Sequence, residues 1–319
     1  MINGLDPLTT SLTSSSSIKF QVPAKLHIKK LNGGKLNRAY VSCTSSSNQD
    51  SYFDQHNMNR RGLIFTATLP FIFGVHESIG RLDANAIVAY STIQEGVKKV
   101  LTKQKAAGLL RLVFHDAGTF DATDNSGGMN GSIVYELERP ENAGLKKSVK
   151  ILEKVKNELD ERENVSWADV IAVAGAEAVS LCGGPVIPIR LGRVDSTVPD
   201  PEGKLPEESL DASGLKQSFR QKGFSTQELV ALSGAHTLGN KGFGSPVTFD
   251  NSYFKILLEK PWLPSTDSMI GLPSDRALPE DDECLRWIRT YADDQKSFFD
   301  DFTNAYIKLV DSGASWKNA

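Results

Sequence analysis

Arg111 and His115 lie four residues apart in an apolar stretch of the chain, and their types and spacing could do chemistry. On a helix, positions four apart share a face, so this stretch would hold a permanent cation beside an imidazole, which gains and loses a proton near neutral pH. Phe114, three positions from Arg111, would form a wall of the same pocket. An otherwise apolar helix does not bury a cation without a use for it. The alternative, an arginine paired with a buried acid and a histidine satisfied in the core, stays open from these residues alone.

His236 is the second candidate, near the end of the segment Glu228–Gly239. The helix predicted before it carries apolar or small residues, and Ser233-Gly234 would let another group approach the backbone closely. Histidine is a common metal ligand, but a lone histidine at a helix end more often has a structural role. Both interpretations stay open for His236 taken by itself.

The whole chain has the composition of a soluble globular protein, with 319 residues of which 39% are hydrophobic and 24% charged. Lys and Arg number 36 against 39 Asp and Glu, which argues against the uniformly basic surface of a nucleic-acid-binding protein. No apolar run reaches the roughly 18 residues of a membrane-spanning helix. Three cysteines cannot form a disulfide framework, and there are only five histidines.

Residues 1–86 have the features of a targeting presequence. The first 49 residues are rich in Ser and Thr and basic, with a single acid, as organelle transit peptides are. Arg60-Arg61 then precedes an apolar stretch at 63–75, and Ala84-Asn85-Ala86 ends the region, which is the pattern of a twin-arginine translocation signal. Two signals in series resemble the bipartite presequence of plant proteins sent through the chloroplast stroma into the thylakoid lumen. The alternative is a disordered tail with another role.

Removal of this segment would start the mature chain at Ile87. The remaining 233 residues would carry 27 Lys and Arg against 34 Asp and Glu, a net charge of −7. Cys182 and Cys284 could form one disulfide in an oxidising compartment if they meet. The only remaining histidines would be His115 and His236.

These two histidines must be positioned by helices, which hydrophobic periodicity predicts along residues 87–319. Helices are predicted at 87–104, 145–159, 166–181, from 225 toward 236, at 251–259 and at 283–310. Ser166 is a predicted N-cap, and Ser225-x-x-Glu228 is a capping box. A strand signal lies at 186–191, and loops are expected at 118–131, 192–206 and 239–248. We therefore expect an all-α fold with one domain at 87–319.

Several segments in consistent order make the chain resemble the class I haem peroxidases, and most closely the plant ascorbate peroxidases. They are RLVFHDAGTF, the Gly127-Gly128 loop, VSWADVIAVAGAEAV, GGPVIPIRLGR, FSTQELVALSGAHTLG, FDNSYF and LPSDRAL. The resemblance extends through almost all of residues 87–319. It implies the helical haem-peroxidase fold, a haem b cofactor, and hydrogen peroxide and a small reductant as substrates.

The resemblance also implies roles for the residues that match the family's motifs. His115 would be the distal histidine, which takes a proton from bound peroxide and returns it to the leaving oxygen. Arg111 would stabilise the charge that develops as the O–O bond breaks. Asn142 would orient His115, and Glu136 would support Asn142. Phe114 stands where most ascorbate peroxidases have Trp and other plant peroxidases have Phe, so it would alter reactivity without preventing it.

On the opposite side of the haem, the resemblance assigns the iron ligand to His236. Asp275 matches the carboxylate that holds the second ring nitrogen of this ligand and makes it more electron-rich. Thr237 and Asp250 match two ligands of the family's potassium ion, although the loop between them is shorter in this chain.

The chain departs from the family after His236. Asn240 stands where the family has an arginine that contacts ascorbate, and the segment 240–249 lacks the tryptophan that the family packs beneath the haem. Lys103 matches the family's ascorbate-contacting lysine, but Lys105 replaces a cysteine.

Two alternative functions follow from this mixture of retained and lost residues. The first is a haem peroxidase of the thylakoid lumen that reduces hydrogen peroxide with ascorbate or a small phenol, and the retained histidines favour it. The second is a non-catalytic protein of the same fold and place that binds partners such as photosystem components at the thylakoid membrane surface. The shortened loop after His236 favours this second function.

Overall fold

Helices make up the regular structure of this protein. The computed structural model describes residues 84–161, 164–259, 262 and 270–317, all within the unit that spans residues 71–319. The α-helices of these residues are α1 (Ala84–Val100), α2 (Lys103–Ala117), α3 (Lys146–Asp160), α4 (Trp167–Leu181), α5 (Ala212–Gln221), α6 (Thr226–Ser233), α7 (Ser252–Leu258), α8 (Pro273–Ala277), α9 (Asp282–Asp293) and α10 (Gln295–Asp311). The prediction of an all-α fold is confirmed.

The strand predicted at 186–191 is wrong, because these residues form irregular backbone. A strand needs a neighbour that takes its backbone hydrogen bonds. In the described residues only isolated bridges occur, one between Asp121 and Ser126 and one between Arg193 and Trp316.

The largest differences from the predicted helices concern two boundaries and one additional helix. The segment predicted at 87–104 ends at Val100, and α2 begins at Lys103. The segment predicted at 283–310 is divided at Asp294, whose side chain accepts a hydrogen bond from the backbone N–H of Lys296 and so starts α10. Helix α5 was not predicted, and Asp211 caps it by accepting a hydrogen bond from the N–H of Gly214.

Helices α2 and α4 cross closely in the core, because Gly175 of α4 has no side chain at the crossing. A Cβ atom there would lie 2.2 Å from Tyr306 Oη and 2.4 Å from Val113 Cγ2. Helix α4 is buried almost all round, and Ser166 caps it as predicted by accepting from the N–H of Asp169. A helix that is apolar on every face is one that other elements surround.

Helix α6 and the 3-10 turn that follows it, Gly234–Thr237, deliver His236 to the interior. The predicted capping box is present, with Ser225 and Glu228 each satisfying the other's backbone N–H. Gly234 leaves room for aromatic rings, because a Cβ atom there would lie 2.5 Å from Phe298 and 2.8 Å from Phe254. The close approach expected at Ser233-Gly234 is therefore confirmed.

A buried arginine ties the C-terminal end of the chain to α4. The Arg193 side chain, 0% exposed, pairs with Asp169 Oδ1 at 2.9 Å and with Asp311 Oδ1 at 2.7 Å. Its Nε also donates to the carbonyl of Val310 at 2.7 Å. The ring of Trp316 covers the guanidinium, 4.7 Å away.

The two cysteines of the described residues do not form a disulfide. Cys182 and Cys284 are both buried and both free, so the disulfide considered for them is absent.

Within the described ranges, none of the helices has the length and apolarity needed to cross a membrane. Residues 1–83, which hold most of the predicted presequence, lie outside the described residues. Helix α1 begins at Ala84, so the predicted start at Ile87 lies in its first turn.

Candidate active site

One cavity of about 1060 Å³ lies between α2 and the end of α6. Arg111, Phe114 and His115 line it from α2, and His236 and Asp275 line it from the other side. Its volume is at the upper end of the range that ligand and cofactor sites occupy in proteins. The two histidines that the sequence singled out therefore face the same space.

His115 is held by a hydrogen-bonded relay on the α2 side of this cavity. Asn142 Nδ2 donates to the carbonyl of Glu136 at 2.9 Å, which leaves Asn142 Oδ1 to accept from His115 Nδ1 at 2.8 Å. Since Nδ1 carries the proton, Nε2 of His115 keeps its lone pair. The Glu136 carboxylate points elsewhere, to Arg139 at 3.0 Å and the N–H of Asp200 at 2.8 Å. Glu136 thus supports Asn142 through its main chain.

Arg111 is fixed by backbone carbonyls. Its Nη1 donates to the carbonyl of Ala143 at 2.8 Å and its Nη2 to that of Glu141 at 2.7 Å. Among the described residues no carboxylate pairs with Arg111, so its charge remains available to a ligand in the cavity. The alternative of an arginine neutralised by a buried acid does not apply.

The pKa of His115 is lowered to about 4. Burial is the main cause, and the neighbouring Arg111 cation is the second, while the hydrogen bond to Asn142 acts in the opposite direction. The ring is therefore neutral at pH 7 and ready to accept a proton. Phe114 lies edge-on to this ring, with centroids 6.3 Å apart, and stacks on Phe219 at 6.2 Å.

His236 is oriented by a buried carboxylate. Its Nδ1 donates to Asp275 Oδ1 at 2.7 Å, and Asp275 Oδ2 accepts from the N–H of Leu272 at 2.8 Å. The His236 side chain is 42% exposed although Asp275 is only 2% exposed, because the imidazole faces the cavity. Burial would lower the pKa of His236, but the Asp275 carboxylate outweighs it and holds that pKa above its ordinary value.

Tyr253 belongs to this group, although no sequence pattern indicates it. Its hydroxyl donates to Asp275 Oδ1 at 2.9 Å, the same oxygen that accepts from His236. The side chain is fully buried. Tyr253 lies in the FDNSYF segment, but nothing in its spacing from His236 or Asp275 indicates that the three meet.

The residues that line the cavity fit a haem. A histidine that donates Nδ1–H to a carboxylate keeps Nε2 free as an iron ligand, which is the arrangement of His236 and Asp275. The second histidine, His115, and the Arg111 cation line the same cavity from α2. The cavity also has a positive residue at its mouth, Lys241, next to the exposed Asn240. Lys103, by contrast, is not among the residues that line it.

The proposed potassium ligands Thr237 and Asp250 are neighbours. Thr237 Oγ1 donates to Asp250 Oδ1 at 3.2 Å. The described ranges contain no group of three or more His, Cys, Asp or Glu residues arranged to hold a metal ion. A potassium site at this pair stays a prediction.

Comparison with known proteins identifies the family of the chain. The family model described as peroxidase matches residues 89–294. The chain is 68% identical over 236 residues to "Putative L-ascorbate peroxidase 6" of Arabidopsis thaliana, covering 73% of this chain and 72% of that protein. It is 39% identical over 250 residues to "L-ascorbate peroxidase 1, cytosolic" of Oryza sativa subsp. indica, covering 72% of this chain and 97% of that protein. It is also 38% identical over 245 residues to "Probable L-ascorbate peroxidase 7, chloroplastic" of Oryza sativa subsp. japonica, with 65% and 66% covered.

The family model spans more than half of the chain, and the relatives named above are 38–68% identical to it over 236–250 residues. From this agreement we conclude that the chain belongs to the peroxidase family, with ascorbate peroxidases among its relatives.

Proposed function

We propose that the protein is a haem peroxidase that reduces hydrogen peroxide, with ascorbate or another small reductant as electron donor. The observation that carries the proposal is the pair of histidines that line one cavity from different elements, one held by an amide and the other by a carboxylate. Peroxide reduction needs a base on one side and an electron-rich iron ligand on the other, and this cavity offers both.

The cofactor of this proposal is haem b, held by His236 with Asp275 behind it. When bound, haem would supply the iron centre for peroxide reduction and for receipt of the donor's electrons. The Asp275 carboxylate keeps the Nδ1 proton of His236 in place, so Nε2 stays basic and directed at the cavity. Tyr253 donates a hydrogen bond to the same Asp275 oxygen and so reduces the negative charge that this carboxylate presents to His236.

In the proposed reaction, His115 transfers a proton and Arg111 stabilises the developing charge. Neutral His115 accepts a proton from one peroxide oxygen at Nε2 and donates it to the other oxygen, which leaves as water. Arg111 stabilises the negative charge that develops on the departing oxygen. Asn142 holds the His115 ring in one orientation, so the ring does not need to rotate before Nε2 takes the proton. Two electrons and two protons from the donor then complete the conversion of one peroxide to two water molecules.

We place this activity in residues 87–319 and assign residues 1–86 to a bipartite presequence for the chloroplast thylakoid lumen. The serine-rich basic start, the paired arginine and the Ala84-Asn85-Ala86 ending support the assignment. Peripheral association with thylakoid membrane complexes belongs to the same proposal. Mass spectrometry of the native protein should find an N-terminus at or near Ile87, and an N-terminus upstream of Arg60 would contradict it.

Hemin titration tests the proposed function. The protein spanning residues 87–319 should give a Soret band with hemin, and His236→Ala should lose it, because His115 is the one other histidine among the described residues and its ring is held by Asn142. His115→Ala is the matched control, since it should keep the Soret band while peroxide turnover falls by about 10²–10⁴. Failure to bind hemin at micromolar concentration, or full turnover by His115→Ala, would overturn the proposal.

A further inference from the structure

A series of aromatic side chains leads away from His236. The ring of Tyr253 lies edge-on to His236 with centroids 6.2 Å apart, and Phe254 follows at 5.0 Å. Tyr291 of α9 is 5.1 Å from Phe254, and Trp287 stacks on Tyr291 at 6.0 Å with an interplanar angle of 27°. Every step lies within the contact range of packed aromatic rings.

The two tyrosines of this series each donate their hydroxyl proton to a carboxylate. Tyr253 Oη donates to Asp275 Oδ1 at 2.9 Å, and Tyr291 Oη donates to Asp301 Oδ2 at 2.8 Å. A phenol releases an electron readily only if its proton can leave at the same moment, and a hydrogen-bonded carboxylate can receive that proton. Tyr306 provides the contrast, because its buried hydroxyl donates to the backbone carbonyl of Ala172, which is not a base.

The series connects the cavity to the protein surface. Tyr253 and Tyr291 are 0% exposed, and Trp287 is partly exposed on α9. The guanidinium of Arg286 lies 4.7 Å from the centre of the Trp287 ring. One end of the series therefore contacts a proposed iron ligand, and the other end is accessible to a molecule outside.

We infer that this series carries single electrons from the surface at Trp287 to the His236 side of the cavity, and that Trp287 is a second site of donor oxidation. The inference rests on the proposed peroxidase function, which supplies the oxidant. The donor for this site is a phenol or other one-electron aromatic reductant that is too large to enter the cavity.

The electrons and protons balance at each step. Tyr253 gives one electron toward the cofactor, from which peroxide has withdrawn two, and its hydroxyl proton moves to Asp275. An electron from Tyr291 restores Tyr253, which takes its proton back from Asp275, while the proton of Tyr291 moves to Asp301. Trp287 then reduces Tyr291, which recovers its proton from Asp301. An external phenol reduces Trp287 and leaves as a phenoxyl radical after losing its proton to solvent, and a second phenol repeats the sequence.

Radical trapping locates the series without measuring turnover. The hemin-loaded protein is treated with peroxide in the presence of the spin trap 2-methyl-2-nitrosopropane, and the adducts are mapped by peptide mass spectrometry. We expect an adduct on Trp287 that disappears in Tyr291→Phe. Trp316 is the matched control, because it is also partly exposed but contacts Arg190 and Arg193 at 4.1 and 4.7 Å and lies outside the series. An adduct on Trp287 that persists unchanged in Tyr291→Phe, or equal labelling of Trp316, would overturn the inference.

A pair of donors tests the second oxidation site directly. One is a free phenol, and the other is the same phenol coupled to dextran by a linker too short to reach into the cavity. In Trp287→Phe the rate with the coupled phenol should fall by about tenfold or more relative to the rate with the free phenol, and Trp316→Phe should leave this ratio unchanged. A protein that oxidises neither donor contradicts the proposed function. A protein that oxidises the free phenol while Trp287→Phe leaves the ratio unchanged contradicts only the inference.

Discussion

At the scale of single residues, the neutral state of His115 is set by its surroundings more than by its own chemistry. An exposed histidine has a pKa of about 6.5 and would be partly protonated at neutral pH. Burial and the nearby Arg111 lower the pKa of His115 to about 4. Arg111 therefore has two effects, since it offers charge to the ligand and also keeps the adjacent base free of a proton.

Arg111→Gln tests both effects. The rate constant for reaction with peroxide should fall by about 10²–10³, because one donor to the departing oxygen is lost. The acid limb of the pH–rate profile, expected near pH 4 in the parent protein, should also move upward toward the ordinary histidine value, because a cation that opposes protonation is removed. Stopped-flow measurement of the peroxide reaction across pH checks this. An acid limb that stays in place would show that burial alone lowers the pKa of His115.

The same shift has a consequence for stability. Because the pKa of His115 is lower in the folded chain than in the unfolded chain, the unfolded state binds more protons between about pH 6.5 and pH 4. The stability contributed by the neutral ring is therefore fully present above about pH 6.5 and is lost as the pH falls toward 4.

At the scale of elements, local signals in the sequence predicted what local chemistry determines. The caps of α4 and α6 were correct because Ser166 and Ser225 act within three residues of themselves. The division of 283–310 at Asp294 was missed, because neither Gly nor Pro marks it and the apolar spacing continues across it. Helix α5 was missed although Leu215 and Phe219 form its buried side, because the short amphipathic segment lies among loop signals.

Local sequence patterns do not predict which helices and turns contact each other. The meeting of His236 with Asp275, 39 residues later, was expected only because the chain resembles known peroxidases. No such resemblance indicates a role for the third member, Tyr253, and periodicity carries no information about which helix faces which. Glu136 contacts Asn142 through its backbone carbonyl. The type of its side chain, a carboxylate, does not predict such a contact.

The crossing of α2 and α4 yields a prediction at this scale. Gly175→Ala should lower the free energy of unfolding by about 1–3 kcal/mol, because its Cβ would collide with Tyr306 Oη. Combining it with Tyr306→Phe should recover part of that loss, since the nearest atom is then gone while Val113 remains close. Urea unfolding of the two single variants and the double variant measures the coupling.

Gly214→Ala in α5 is the control for this cycle. The closest contacting atom there is the flexible end of Leu210, at 3.0 Å, so the helix can gain up to about 1 kcal/mol from the better helix former. Equal losses at Gly175 and Gly214 would show that the crossing is not the critical contact.

At the scale of the whole molecule, Arg193 joins parts of the chain that are far apart in sequence. Arg193→Ala should lower the free energy of unfolding by about 3–5 kcal/mol, because it leaves the buried Asp169 carboxylate with backbone N–H donors but without its counter-charge. Arg190→Ala is the matched variant, since Arg190 is exposed and also lies over Trp316, at 4.1 Å, and it should cost only about 0.5–1 kcal/mol. Similar losses in the two variants, measured by urea unfolding, would show that ring stacking and not carboxylate pairing fastens the C-terminal end.

The two free cysteines bear on when and where this protein can fold. Burial raises the pKa of both thiols, that of Cys284 to about 12, so neither forms the thiolate that reacts with oxidants. Among the described residues, the fold is therefore held by packing and hydrogen bonds and by no disulfide. A fold without a disulfide at these positions is compatible with the proposed passage of the folded chain from a reducing compartment to an oxidising one.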